Sequence, residues 1–211
     1  TVLAQAQELG YAERNPSADI EGFDAVRKIA ILASLAYGKS VDFEDVYTEG
    51  ITNITDIDFK YAAAMGKSIK LLGKCKKEAN GIVASVTPRL LSPSHPLFNV
   101  EGVVNGILVR GNMVGDLVFI GSGAGKLPTA SAVVSDVVVR HLNIPVTVIW
   151  DKEKLELLEF GKSRKSFFVR VEGDEKDKIE EAFENVTYID AGIENEIGFV
   201  TRPMSEDEFK A

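Results

Sequence analysis

Cysteine is nearly missing from this chain: Cys75 is the only one in 211 residues, beside two histidines and one tryptophan. An internal disulfide is therefore excluded, and no Cys/His cluster offers metal-ligand spacing. Cys75 lies in Lys74-Cys75-Lys76-Lys77. Neighbouring cations can depress a thiol pKa, but a bystander thiol is the simpler reading. No basic cluster interleaved with aromatics occurs, and the net charge is −8, which argues against nucleic acid as a partner. Apolar runs are broken by charge or glycine well short of the roughly 20 residues a membrane span needs. No secretory leader is visible, so a cytoplasmic location is expected. Repeats and low-complexity tracts are absent too.

What is present is an ordinary globular balance, 45% hydrophobic and 27% charged, in a length that supports one sizeable core and a small appendage. The chain starts at Thr1 without an initiator Met, already inside helix-like Val2–Leu9. A longer parent protein is therefore expected.

Periodicity and punctuation place the elements. Gly10 closes the first helix, and a polar loop with Asn15-Pro16 and Gly22 follows. Residues 23–37 read as a helix apolar almost all round, hence buried, and capped by Asp19 or Glu21. A helix at 56–65 opens on Thr and Asp; strands at 68–75 and 81–88 flank a Lys-Glu-Ala-Asn turn, with Pro88 at a strand end. Strands at 105–112 and 114–121 form an antiparallel pair across a Gly-Asn turn. A glycine-rich loop, Ser122–Thr129, leads to a helix at 130–141. From Asp151 the chain turns charged and linker-like, followed by strand, helix, two strands and a last helical fragment. The expected class is α+β: a mixed or antiparallel sheet with helices layered on one face, plus a small βαββ unit. The expected division is 1–150, a linker at 151–164, and 165–211.

The stretch Gly10–Lys28 carries the chemistry. It sets Glu13, Asp19 and Asp24, a lysine and an aromatic around a turn opening into an apolar helix. Asp24 and Lys28, four apart, share one helix face. An ordinary ion pair is the bland reading; an acid/base lysine held by carboxylates is the sharp one. In a buried helix such a pair is costly unless mutually satisfied.

These residues resemble the signature of the homoserine dehydrogenases: Ala6 ahead of Gly10-Tyr11, then Ala12-Glu13, Asn15-Pro16, Asp19-Ile20, Gly22-Phe23-Asp24, and Lys28 four residues on. The resemblance implies an oxidoreductase that interconverts L-homoserine and L-aspartate 4-semialdehyde with NADP or NAD, in threonine, methionine and isoleucine biosynthesis. It makes Lys28 the acid/base and Asp24 the carboxylate one turn before it. Glu13 becomes the group that binds the substrate ammonium. Tyr11 and Asp19 fall where the family lines its pocket, although Tyr11 packing beside Gly10 and Asp19 capping explain them equally well. Nearby carboxylates favour a charged lysine, so they suit ammonium binding and positioning better than lowering the Lys28 pKa.

A second match is Gly121-Ser122-Gly123-Ala124-Gly125-Lys126-Leu127-Pro128-Thr129-Ala130. Alternate glycines let backbone approach a ligand, and a helix start favours anions. The spacing is not that of a dinucleotide fingerprint. By resemblance Gly123, Ala124 and Gly125 contact the nicotinamide cofactor, and Thr129 caps the helix. Ser94-His95-Pro96-Leu97 also matches the family, with His95 read as a loop residue. The family's nucleotide-binding domain and monovalent cation site would lie upstream of Thr1, so the 211 residues alone are expected to turn over negligibly. The resemblance also implies a homodimer, with the 105–120 strands crossing a two-fold axis. The tail resembles an ACT regulatory module without its final strand or Pro-Gly turn. An alternative reading is therefore an amino-acid-sensing module on a non-catalytic scaffold.

Overall fold

The computed structural model describes residues 16–142, 144 and 150–210. In chain order its first elements are α1 (Ser17–Ile20), α2 (Phe23–Tyr37), β1 (Lys39–Ser40), β2 (Tyr47–Thr48), α3 (Asp56–Ala64), β3 (Ser68–Glu78) and β4 (Gly81–Leu91). There follow β5 (Val104–Gly111), β6 (Gly115–Ser122), α4 (Lys126–His141), β7 (Asp151–Lys154), β8 (Phe168–Glu172), α5 (Lys176–Ala182), β9 (Thr187–Ile189), β10 (Glu196–Val200) and α6 (Glu206–Lys210). The class is α+β, as expected.

The core is α2 laid across a three-stranded sheet of order β2-β4-β3. Val26, Ala30, Ala33 and Ser34 form the buried stripe of α2, at the spacing that keeps side chains on one helix face. They pack with Val41, Val46, Ala84 and Val86, flanked by Leu71 and Cys75. The buried Ser34 hydroxyl is satisfied twice, donating to the Ala30 carbonyl (2.8 Å) and accepting from the Val41 amide (2.9 Å). The expectation of a helix buried all round is corrected. Phe23, Ile31 and Leu35 are 45%, 53% and 42% exposed, because only one side of α2 faces the sheet.

Strands β3 and β4 pair antiparallel from Ser68↔Leu91 to Glu78↔Gly81, longer than periodicity suggested. Pro88 sits inside β4 opposite Leu71 rather than at its end. Val86 directs its carbonyl to the Glu49 amide beside β2 (2.8 Å). Pro88, two residues on, faces the same way beyond the last residue of β2, so its missing N–H costs no ladder bond. Burial pushes the Cys75 thiol up, away from a reactive range. The bystander reading fits.

The hairpin β5–β6 keeps the expected antiparallel register, Val104↔Ser122 to Gly111↔Gly115. Helix α4 starts at Lys126, four residues earlier than expected, with Gly125 (φ 112°) at its N-cap. Pro128 is therefore in the first turn, where its lack of an N–H is harmless. Thr129 lies inside the helix and does not cap it. No side chain of α4 is buried.

Residues 151–164 carry ordered structure. β7 pairs parallel with β1, the Leu158 amide donates to Ile82 O (2.7 Å), and Phe160 stacks on Tyr47 at 4.3 Å between centroids. Beyond them β8, α5, β9 and β10 form the expected βαββ unit, a sheet of order β8-β10-β9. Gly198 meets α3, since a Cβ there would collide with the Tyr61 ring, while the fully buried Phe199 packs on the other face against Phe183 and Tyr188. Arg170 on β8 bonds Asp58 of α3 (2.7 Å) and both Glu196 oxygens (3.0 Å each). Asp58 also closes the N-terminus of α3, accepting from the Thr55 amide (2.7 Å) and hydroxyl (2.8 Å).

Burial by itself would raise Asp58, yet hydrogen bonds from Arg170 and Thr55 hold it below its ordinary value. At Glu196 the Arg170 hydrogen bond dominates and also lowers the carboxyl. Breaking a buried pair costs about 3–5 kcal/mol. Because the guanidinium is partly exposed, Arg170→Met should lower stability by about 2 kcal/mol in urea unfolding. Both carboxyls titrate lower folded than unfolded, so their contribution is complete above about pH 4 and is lost as pH falls through the depressed values. The wild type should therefore lose stability below about pH 4 more steeply than Arg170→Met does.

Candidate active site

The candidate site is the corner where α1 meets α2. Pro16 opens α1, its carbonyl accepting from the Asp19 and Ile20 amides (2.9 and 3.0 Å). The corner residue is Gly22, at φ 81°, a left-handed backbone that side chains disfavour. A Cβ there would also lie 3.1 Å from Val86 Cγ1 and 3.3 Å from Thr48 Cγ2. Gly22 itself holds the N-cap position of α2, with no side-chain cap bond. The capping reading of Asp19 and Glu21 is corrected: the turn is too tight for either to take that position.

One turn into α2, Lys28 Nζ sits 2.6 Å from Asp24 Oδ2, with side-chain exposures of 55% and 50%. The i,i+4 geometry read from the sequence is formed, but on the outer side of the helix. The desolvation cost expected of a buried pair does not arise. Asp19 is exposed on α1, so all three side chains are open to solvent near the corner. Glu13 and Tyr11 lie outside the described residues.

Two features at this corner were not singled out in the sequence. The Ile51 amide donates to the Ile20 carbonyl (2.7 Å), and a Cβ on Gly50 would collide with that same carbonyl oxygen. Their only sequence signal was a lone glycine between an acid and an isoleucine, in a stretch given no element.

The glycine loop Gly123-Ala124-Gly125 is mostly exposed and leads directly into α4. A Cβ on Gly123 would meet the exposed Asn105 side chain, which would have to swing aside. Gly125 meets only Pro128 and leaves the backbone of the helix start open. His95 keeps to its loop, its Nδ1 accepting from the Leu97 amide (3.2 Å). A cavity of about 800 Å³ lies elsewhere, lined by Tyr47, Leu155, Phe160, Glu206 and Lys210 among others, and a smaller one of about 340 Å³ surrounds Arg170. Neither is lined by Lys28 or Asp24. Among the described residues no cluster of His, Cys, Asp or Glu is arranged to hold a metal, and no helix is long and apolar enough to cross a membrane.

The model of the homoserine dehydrogenase family matches residues 1–138. The chain belongs to that family. The homoserine dehydrogenase of Bacillus subtilis is 45% identical over 148 residues, which are 69% of this chain and 34% of that protein. The crystal structure of a homoserine dehydrogenase from Thiobacillus denitrificans superposes with a TM-score of 0.85 at 31% identity, over 100% of this chain and 53% of the other. A hyperthermophilic archaeal homoserine dehydrogenase in complex with NADPH gives 0.54 at 34% identity, over 67% of this chain and 40% of the other. The chain thus spans about a third of the length of the curated homoserine dehydrogenases it matches.

An exposed i,i+4 ion pair contributes little to stability, about 0.3–0.5 kcal/mol. Lys28→Met should therefore shift the urea midpoint by no more than about 0.5 kcal/mol of stability. A larger loss would mean that Lys28 holds the fold together rather than facing a ligand.

Proposed function

We propose that the parent protein interconverts L-homoserine and L-aspartate 4-semialdehyde with NADP or NAD, with Lys28 as the acid/base. The observation that carries this reading is the Lys28–Asp24 pair, 2.6 Å apart on the open side of α2, where a ligand can reach it. Family membership supports the same chemistry. It weighs against the alternative of a sensing module on a non-catalytic scaffold.

In the oxidative direction the substrate hydroxyl loses its proton while the carbon bearing it loses a hydride. Lys28, in its neutral form, accepts that proton; in the reverse direction its ammonium returns it to the aldehyde oxygen. Asp24 orients the amine. Glu13 binds the ammonium of the amino acid, and Asp19 and Tyr11 line the pocket around the substrate. A bound nicotinamide cofactor supplies the hydride acceptor. Gly123, Ala124 and Gly125 fit an edge contact to it, because Gly125 leaves backbone open at the start of α4. They do not fit a complete dinucleotide cradle, since the glycine spacing differs from the fingerprint. The NADPH complex of the archaeal relative supports a nicotinamide dinucleotide here.

The reading extends to assembly. The hairpin and α4 each expose apolar side chains: the cross-strand partners Ile107, Val109, Leu117 and Phe119 on one hairpin face are 40–60% exposed, and Val133, Val134 and Val137 on α4 are 58–62% exposed. A face of this kind is costly in water and marks an interface. We assign it to a second copy of the chain. The proposed division has residues 1–150 for catalysis and dimerisation, joined through 151–164 to the ACT-like 165–211, in a cytoplasmic biosynthetic enzyme.

Two measurements test these statements. Lys28→Ala in the parent protein should lower kcat for homoserine oxidation by about 10²–10⁴-fold; turnover within threefold of wild type removes Lys28 from the chemistry. Sedimentation of the parent should give a dimer, and Phe119→Glu combined with Val134→Glu should give a monomer. A dimer in both places the interface elsewhere.

A further inference from the structure

We infer that Thr48–Ile51 is a strap that positions the substrate-binding corner, with Gly50 as the positioning residue whose missing side chain allows it. The inference rests on the reading of Lys28, Asp24 and Asp19 given above.

The strap is fixed at both ends. Glu49 donates its amide to Val86 O of the central strand (2.8 Å), and two residues later Ile51 donates to Ile20 O, the last residue of α1 (2.7 Å). One bond ties it to the most buried strand of the core; the other holds the corner. Between them Gly50 lies flat on the corner backbone. A Cβ there would collide with the Ile20 carbonyl oxygen and lie 2.6 Å from Glu21 Cα and 3.0 Å from Glu21 C. All three are main-chain atoms, so no rotamer change relieves the contact, and the whole corner would have to shift. Thr48 and Val86 support the same corner beneath Gly22, at 3.3 and 3.1 Å from its Cβ position.

Asp19 rides on α1, and Asp24 is on the first turn of α2, directly after the corner. Lys28 lies a turn further along, next to the packed stripe of Val26, Ala30 and Ala33. Displacing the corner therefore moves Asp19 on α1 relative to Asp24 and Lys28, which α2 holds against the sheet. A misplacement of about 1 Å in a positioning element is enough to lose about 10²-fold. The loss falls on recognition of the substrate, so it should appear chiefly in KM for the amino acid.

The test is Gly50→Ala in the full-length parent, beside Gly66→Ala, a left-handed glycine (φ 61°) with open space around it and no contact with the corner. Gly50→Ala should lower kcat/KM for homoserine by about 10²-fold, mostly through KM. The KM for NADP should stay within twofold, and so should the pH dependence of kcat. Gly66→Ala should stay within twofold throughout. Gly50→Ala within threefold of wild type overturns the strap, as does a loss confined to kcat. Should Gly50→Ala fail to fold, hydrogen exchange on the unaltered parent decides: saturating homoserine should protect residues 17–24 and 48–54 together. Protection of 17–24 alone overturns the strap. Lys28→Ala separates the two levels. If that variant is inactive while Gly50→Ala is normal, only the strap falls; if it is fully active, the reading of the site falls and the strap with it.

Discussion

One packing contact supports the rest of this molecule: the narrow stripe of α2 against the sheet formed by β2, β4 and β3. The stripe is built of small residues, Val26, Ala30, Ala33 and Ser34, so helix and sheet approach closely. The sheet answers with Ala84 and Val86. Close approach fixes both the height and the rotation of α2. That rotation decides that Asp24 and Lys28 face outward, with the apolar side chains beneath them directed at the core. A glycine at each end, Gly22 and Gly38, both in left-handed conformation, sets the helix length. The outward direction of the pair is therefore a consequence of the core.

The outward direction of the pair changes its physics. A lysine and an aspartate sealed inside the chain would form a satisfied structural pair, hard to disrupt and useless to a ligand. Exposed as they are, they contribute little to stability and stay available. The exposed apolar face of the hairpin and α4 follows the same logic at larger scale. Those residues carry the periodicity of core elements, yet many of them stay exposed among the described residues.

The tail is held more tightly than its charged composition suggests. Phe160 stacks on Tyr47, Gly198 admits the Tyr61 ring, and Arg170 reaches across to Asp58. Each contact joins a residue beyond 159 to elements of the front half. The Asp58 carboxylate serves both as the reciprocal cap of α3 and as a partner of the C-terminal unit, so the end of one helix and the seating of the tail depend on one side chain.

Local rules were enough for much of this. The capping chemistry of Thr55, the hairpin at Gly111–Gly115, the βαββ order of the tail and the four-residue spacing of Asp24 and Lys28 follow from propensity and period, because each involves residues near in sequence. The motif from Ala6 to Lys28 likewise pointed to the family before any coordinates. What the sequence could not contain is direction and contact across long separations. That α2 is buried on one side only, that Pro88 is tolerated inside β4 because β2 ends early, and that residues 151–164 add a strand rather than a free linker all depend on which distant segment arrives alongside. Gly50 is the clearest case. In the sequence it is one more loop glycine; in the fold it is the place where two backbones thirty residues apart come too close for any side chain.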